Sequence, residues 1–261
     1  MTAGMSVAAT YNAASDSYDA NAFWGRFGQR TVERLGLRNG ARVLDVCCGS
    51  GASALPAAEA VGPDGFVLGV DLAEDLLALA RRKAAHLRNV EFRRGDMLDL
   101  PPGEFDAVVC VFGIFFVPDI AAAVRSLRGR VRPGGQLAIT TWGPRFLEPA
   151  SSVFWDSVRA VRPDLYKGFT PWDRINDPES LRAVLAEGGV EGAEIVAEPG
   201  WHPIPSPEAW WAAVMGSGYR GTVDQLDAGD FERVRAANYA FIRESGITAG
   251  EANVVYAVAT I

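Results

Sequence analysis

The stretch at residues 43–51, VLDVCCGSG, limits this chain more than any other part of its 261 residues. Val43, Leu44 and Val46 are strand formers, Asp45 stands near the strand's end, and Gly49 and Gly51 leave the backbone bare where a ligand could come close. Residues 52–60 then read as a helix, so a buried strand breaks into a glycine turn that opens a helix N-terminus. Such a unit belongs to an α/β chain and makes a cradle for a small molecule.

Two cofactor classes use such a cradle. Gly49-Ser50-Gly51-Ala52-Ser53-Ala54 matches the permissive GxGxxG/A dinucleotide fingerprint, and Asp71 falls 20 residues past Gly51, where a ribose-binding acid is expected. Asp45, however, places a negative charge just before the turn, which repels a diphosphate and favours a cationic amino group. A nicotinamide-dependent oxidoreductase is therefore the second reading, and a cationic ligand the first.

Downstream, residues 66–70 form a continuous apolar run ending at Asp71, which reads as a second buried parallel strand with its acid at the carboxyl end. Asp71 can accept from both hydroxyls of a ribose or cap the helix expected at residues 74–82. Residues 89–94 read as a third strand followed by Gly95-Asp96-Met97, and Ala107 to Phe112 as a fourth, buried on both faces. Ile114 to Phe116 then make a loop over the site, with Pro118 and Asp119 starting a helix. Ile120, Val124, Leu127 and Val131 share one helical face, Arg132-Pro133-Gly134-Gly135 is expected to stop that helix, and residues 136–142 read as a fifth strand.

The order Asp45, Asp71, Asp96, with the helix-RPGG-strand unit, resembles the class I S-adenosylmethionine-dependent methyltransferases, whose first motif is commonly D/E-x-G-x-G-x-G. Here Asp45-Val46-Cys47-Cys48-Gly49-Ser50-Gly51 puts Cys47 at the first glycine position. The resemblance covers residues 37–145 and is nearest to the ubiquinone/menaquinone C-methyltransferase-like (methyltransferase type 11) group, which includes natural-product methyltransferases of secondary metabolism. It implies a Rossmann-like, doubly wound, seven-stranded, mostly parallel sheet with an antiparallel last strand at residues 253–261. It also implies a helical lid at residues 1–36 and a cofactor domain at 37–261, with cap helices in about 145–190 and 206–246.

The same resemblance assigns S-adenosylmethionine to Asp45, Cys47, Gly49, Gly51, Asp71, Leu72, Asp96, Met97 and Val111, with S-adenosylhomocysteine as product and no metal. Asp96 would accept from the adenine amine while Met97 lines its ring. Tyr11 and Tyr18, seven residues apart on one expected helical face, together with Phe115, Phe116 and Trp142, are candidates to contact the acceptor. Phe115 and Phe116 stand where many relatives carry a histidine pair, trading proton transfer for an apolar wall. His202, in a proline-rich loop, is the candidate general base. Trp155, Trp172, Trp201, Trp210 and Trp211 add aromatic surface for a flat or greasy acceptor, or simply for the core.

Composition excludes several other classes. A net charge of −7 with no basic cluster beyond Arg81-Arg82-Lys83 argues against nucleic acid as a partner. Three cysteines without a CxxC pair, and only two histidines, support neither a disulfide framework nor a zinc site. MTAGMSVAAT lacks a secretory pattern, and no apolar run is long enough to span a bilayer, so a reducing cytoplasm is expected. The expected function is methyl transfer to an O, N or C nucleophile of a small, aromatic or apolar molecule. A non-catalytic S-adenosylmethionine-binding protein is the alternative outside enzymes.

Overall fold

The computed structural model describes residues 3–100 and 103–261. In chain order come helices α1 (Ala3–Ala13), α2 (Ser15–Tyr18) and α3 (Ala22–Leu35), then β1 (Arg42–Val46), α4 (Ala54–Val61), β2 (Phe66–Asp71), α5 (Glu74–Lys83), β3 (Val90–Arg94) and β4 (Phe105–Val111). The rest is α6 (Ile120–Arg128), β5 (Val131–Trp142), α7 (Ala150–Val161), α8 (Pro178–Glu187), β6 (Glu194–Glu198), β7 (Trp201–Pro203), α9 (Pro207–Met215), α10 (Arg220–Val223), α11 (Ala228–Ser245), β8 (Ala249–Glu251) and β9 (Val254–Thr260).

Seven strands pair in the order β3-β2-β1-β4-β5-β9-β6, with β9 antiparallel to both β5 and β6. The central strands are apolar on both faces because each face is covered by helices. Val43, Val67, Ala107 and Val109 pack with α3, α4 and α5 residues such as Val32, Ala57 and Leu77, while Leu44, Leu68, Val108 and Cys110 belong to the larger core on the other side. The antiparallel last strand and the doubly wound sheet match the sequence expectation.

Three local expectations change. Tyr11 and Tyr18 do not share a helix, because the chain breaks at Ala14 and again at residues 19–21, where the Asn21 side chain donates to the Ala213 carbonyl. The chain also leaves α6 at Gly129, before the Arg-Pro-Gly-Gly segment, which lies inside the long strand β5. Val131 there pairs with Phe105 on β4, and Gly134 and Gly135 hydrogen-bond to Ile261 beyond β9. Sheet pairing thus outweighs the turn propensity of Pro and Gly. Finally, β7 and β8 pair as a separate two-stranded antiparallel ribbon across the intervening helices α9 to α11; these three-residue strands are too short to show an alternating pattern in the sequence.

The segment expected as a lid divides in two, its first two residues lying outside the described ones. Helix α3 packs on α4, β4, β5 and β9 as a layer of the fold, whereas α1 and α2 lie over the carboxyl edge of the sheet. Of the expected cap helices, α8 packs on α6 and β6 as an ordinary crossover helix, and α7, α9 and α11 form a bundle of their own. The close seating of α3 depends on Gly28, since a Cβ there would stand 2.3 Å from the Ala52 carbonyl oxygen. Gly28→Ala is expected to cost about 2 kcal/mol of stability by overpacking against rigid backbone, read by denaturant unfolding.

Candidate active site

Strands β2 and β3 wind one way from β1, and β4 and β5 the other, so the crossovers reverse between β1 and β4. At that point the loops diverge and leave a crevice at the carboxyl edge. Both lips of the crevice are strained. Cys47, directly after β1, has φ 59°, and Phe112, directly after β4, has φ 55°. Neither is glycine, and such left-handed residues cost on the order of 1–3 kcal/mol each, a pattern that gathers at binding sites.

Above the crevice lies a cavity of about 340 Å³, roofed by Tyr11 of α1 and Tyr18 of α2. Seven of the nine residues expected to hold the cofactor line it: Cys47, Gly49, Asp71, Leu72, Asp96, Met97 and Val111. The other two do not. Asp45 is buried beneath the turn, where it accepts from Ser53 Oγ at 2.7 Å, and Gly51 faces Leu55 and Phe92. The second oxygen of Asp45, Oδ1, is buried with no hydrogen-bond partner among the described residues. Burial pushes this carboxyl up to about 7, with the charge of Asp71 adding to the rise and the Ser53 bond opposing it.

Asp71 ends β2 and shapes the turn. Its Oδ2 accepts from the Gly49 amide and its Oδ1 from the Ala73 amide, both at 2.8 Å. Each oxygen keeps a second lone pair for a ligand hydroxyl. Its carboxyl is raised by burial, against the pull of these backbone donors. The helix-cap alternative fails in its simple form, because the N-cap of α5 is Ala73. Asp96 turns its Oδ1 to the Leu98 amide at 2.9 Å and still reaches the cavity.

Of the acceptor candidates, Tyr11, Tyr18 and Phe116 line the cavity, whereas Phe115 and Trp142 back it. Trp142 stacks on Phe112 at 3.8 Å between centroids, and Phe115 lies edge-on to Phe116 and Trp172. Sequence reasoning passed over Trp24 and Phe112, which complete the aromatic wall; Tyr18 stacks on Trp24 at 4.9 Å. Their signals were ambiguous, Trp24 reading as helix packing and Phe112 as the end of a strand. Burial raises the phenols of Tyr11 and Tyr18 far above their usual range, so both stay protonated.

His202 lies off this wall. It sits on β7 opposite Gly250 of β8, edge-on to Phe23 at 4.8 Å, and burial pushes it down to about 4 with help from Arg26. None of the five later tryptophans lines the cavity: Trp155, Trp210 and Trp211 are core residues, Trp172 is half-buried and Trp201 is exposed. The Trp210 indole instead donates to Asn238. Packing is the role of all of them but Trp201.

Two polar clasps hold the roof and wall, and neither was legible in the sequence. Lys83 Nζ binds Asp19 Oδ2 at 3.1 Å and Ser50 Oγ at 3.0 Å, tying the end of α2 to the glycine turn. Arg174, from the turn after α7, donates to the carbonyls of Phe115, Val117 and Pro118 and so fixes the loop after β4. Among the described residues, no group of three or more His, Cys, Asp or Glu is placed to hold a metal, and no helix is long and apolar enough to cross a membrane.

Asp71 and Asp96 are the charged side chains among the described lining residues; no Lys, Arg or His joins them. A diphosphate would meet two acids and no cation, whereas a nucleoside carrying a cationic arm suits both the acids and the unpaired oxygen beneath the turn. S-Adenosylmethionine fits that donor set.

Comparison with known proteins agrees. Residues 43–135 match the family model described as a methyltransferase domain. Demethylmenaquinone methyltransferases of Staphylococcus aureus strains JH9 and Newman are 35% identical over 123 residues, covering 46% of this chain and 50% of theirs. The chain thus spans about half the length of the curated relatives it matches. Among solved structures, the YcgJ protein of Bacillus subtilis covers 90% of this chain and 98% of its own at a TM-score of 0.57 and 16% identity. A phosphoethanolamine N-methyltransferase of Haemonchus contortus, in complex with phosphomonomethylethanolamine and S-adenosylhomocysteine, covers 90% of this chain and 52% of its own at 0.54 and 17%. The [4+2]-cyclase SpnF covers 91% and 81% at 0.54 and 22%. At these identities the solved structures speak for the fold alone, and the cyclase shows that this fold carries more than one reaction. Residues 43–135 thus match a methyltransferase domain, and they lie within the seven-stranded, mostly parallel sheet that the class I S-adenosylmethionine-dependent resemblance implies.

Proposed function

We propose that this chain is an S-adenosylmethionine-dependent methyltransferase acting on a small, neutral, aromatic or apolar acceptor. The observation that carries it is a cavity whose described charged lining residues are Asp71 and Asp96, walled by Tyr11, Tyr18, Trp24, Phe112 and Phe116. In this reading Asp71 holds the ribose hydroxyls, Asp96 and Met97 the adenine, and the turn at Cys47–Gly49, with Asp45 beneath it, the amino-acid arm. When bound, the cofactor supplies a methyl group on a cationic sulfur, and the bond formed to the acceptor's lone pair replaces the bond to sulfur.

The residues of this chain then serve mainly to align and to exclude water. Tyr11 and Tyr18, being protonated, offer hydrogen bonds without removing a proton, and the aromatic wall presents flat apolar faces to the acceptor. No base is assigned to His202, which lies outside the cavity and behind Phe23. The acceptor therefore brings its own available lone pair, as a weakly basic nitrogen, an electron-rich ring carbon or a hydroxyl with a low pKa does. A non-catalytic binding role is the second reading, separable by assaying for S-adenosylhomocysteine release.

Calorimetric titration is the direct test. S-Adenosylmethionine and S-adenosylhomocysteine should bind with micromolar affinity and NADH should not; binding of NADH alone sinks the proposal. Asp71→Ala should weaken cofactor binding by about ten- to a hundredfold, as expected for lost charge-assisted bonds. A folded variant of unchanged affinity would remove Asp71 from the ribose.

Protonation supplies a second test. A ligand ammonium favours the ionised form of Asp45, so its carboxyl titrates lower in the complex than at about 7 in the free protein. Binding below that pH must expel a proton, and affinity for S-adenosylhomocysteine should rise, by up to about tenfold, between about pH 6 and about pH 8. Adenosine, which lacks the amino-acid arm, should show no such rise, and Asp45→Asn should abolish it. An identical slope in Asp45→Asn would assign the titration elsewhere.

Truncating His202 separates structure from chemistry. His202→Ala should lose about 2 kcal/mol of stability through the cavity left against Phe23. Turnover per folded molecule should stay within about twofold, since a lost general base costs at least about a hundredfold. A drop of that larger size would return His202 to the reaction.

A further inference from the structure

The two lips of the crevice meet in one contact that cofactor binding, as described, does not use. Cys47 stands at the position where the family motif has glycine, and its φ of 59° is one that glycine adopts without strain. The side chain points across to the end of β4. A Cβ placed on Gly113 would lie 2.4 Å from the Cβ of Cys47, 2.7 Å from its Sγ and 3.2 Å from the Sγ of Cys110. Two carbons cannot approach so closely, and the Cys47 Cβ is fixed to backbone that cannot yield cheaply. Gly113 can therefore carry no side chain while Cys47 carries one.

Both residues line the cavity, one on each lip, at the reversal of the strand order. Asp71 and Asp96 lie on the other side of β1, after β2 and β3. In the cofactor reading above, a nucleoside anchored by those acids would extend across the glycine turn and bring its sulfur-bearing arm to the Cys47–Gly113 contact, beside Phe112 and Phe116. The bulk carried at that contact would then limit the size of the group on sulfur. The thiol of Cys47 also bonds with that of Cys110 and is held protonated by that bond and by burial, so it acts there by shape.

We propose that Cys47 and Gly113 are a matched size pair that sets the clearance at the sulfur end of the cavity, admitting an S-methyl sulfonium and excluding one with a larger S-alkyl group. This rests on the cofactor reading above. The chemical class discriminated is the S-alkyl nucleoside sulfonium, and discrimination by one methylene in a tight apolar pocket is worth about tenfold or more.

The test combines stability with binding. Thermal unfolding without ligand is compared for the wild type, Cys47→Gly, Gly113→Ala and the double variant; calorimetry then gives affinities for S-adenosylmethionine and S-adenosylethionine. Gly113→Ala alone should lower the melting temperature, Cys47→Gly should not, and the double variant should recover most of the loss. The wild type should prefer the methyl cofactor by about tenfold, and Cys47→Gly should reduce that preference to about twofold or less. Additive melting shifts, or a folded Cys47→Gly with the wild-type preference, would overturn the pair. If the wild type binds neither sulfonium, the cofactor reading itself falls and takes the size filter with it, a result distinct from the first because recovery of stability needs no ligand.

Discussion

The reversal of winding between β1 and β4 is the constraint on which the rest of this molecule depends. Once parallel strands are added on both sides of β1 with crossovers of one hand, the loops at its carboxyl end must part, and a crevice is unavoidable. Its lips cannot relax into regular structure, because the strands that lead to them are fixed by pairing on both sides. Cys47 and Phe112 take up the sharp change of direction in left-handed conformations, stabilised elsewhere by the apolar core beneath them. Strain at the rim and order in the sheet are thus two aspects of one arrangement.

Electrostatics follow from the same geometry. The acids that end β2 and follow β3 are carried to the crevice by strands buried among helices, and Asp45 is carried under it by β1 itself. Desolvation raises Asp45 and Asp71 together, and the charge of Asp71 makes Asp45 harder still to ionise. Backbone amides at Gly49 and Ala73 meet part of the demand of Asp71, and the Ser53 hydroxyl meets part of that of Asp45. What is left over is a negative field over a bare turn, suited to a cation and hostile to phosphate.

Legibility in the sequence divided along the same line. Strands buried on both faces, with acids at their ends, show in one dimension because every residue in them obeys one rule; hence the sheet and its antiparallel last strand fell where expected, and seven of the nine cofactor candidates line one cavity. The wall was less visible. Phe115 and Phe116 are adjacent and chemically alike, yet one faces the cavity and the other the core, a choice made by a single short turn and by Arg174 gripping its carbonyls from some sixty residues away. Trp142 was expected on the wall and instead supports Phe112, which was read only as strand. His202 stood out for its rarity, and rarity says nothing of where a strand pairing brought together from distant parts of the chain will place a ring.

The roof shows why lining residues matter more here than reactive ones. Tyr18 lies so close over the turn that a Cβ on Gly49 would come within 3.1 Å of its hydroxyl, so the bare backbone serves closure as well as ligand approach. The Lys83–Asp19–Ser50 clasp that holds α2 down is partly exposed and worth little in stability by itself. Such a weak tie leaves most of the hold on α2 to the burial of the aromatic roof, where Tyr18 stacks on Trp24. With its phenols protonated and no lysine or histidine among the described lining residues, the cavity leaves Asp71 and Asp96 as the groups able to take a proton, and the proposed reading engages both with the nucleoside. In the reading proposed above, selection rests on shape and on the guest's own lone pair, set by the walls of the cavity rather than by the fold, which is shared with a cyclase.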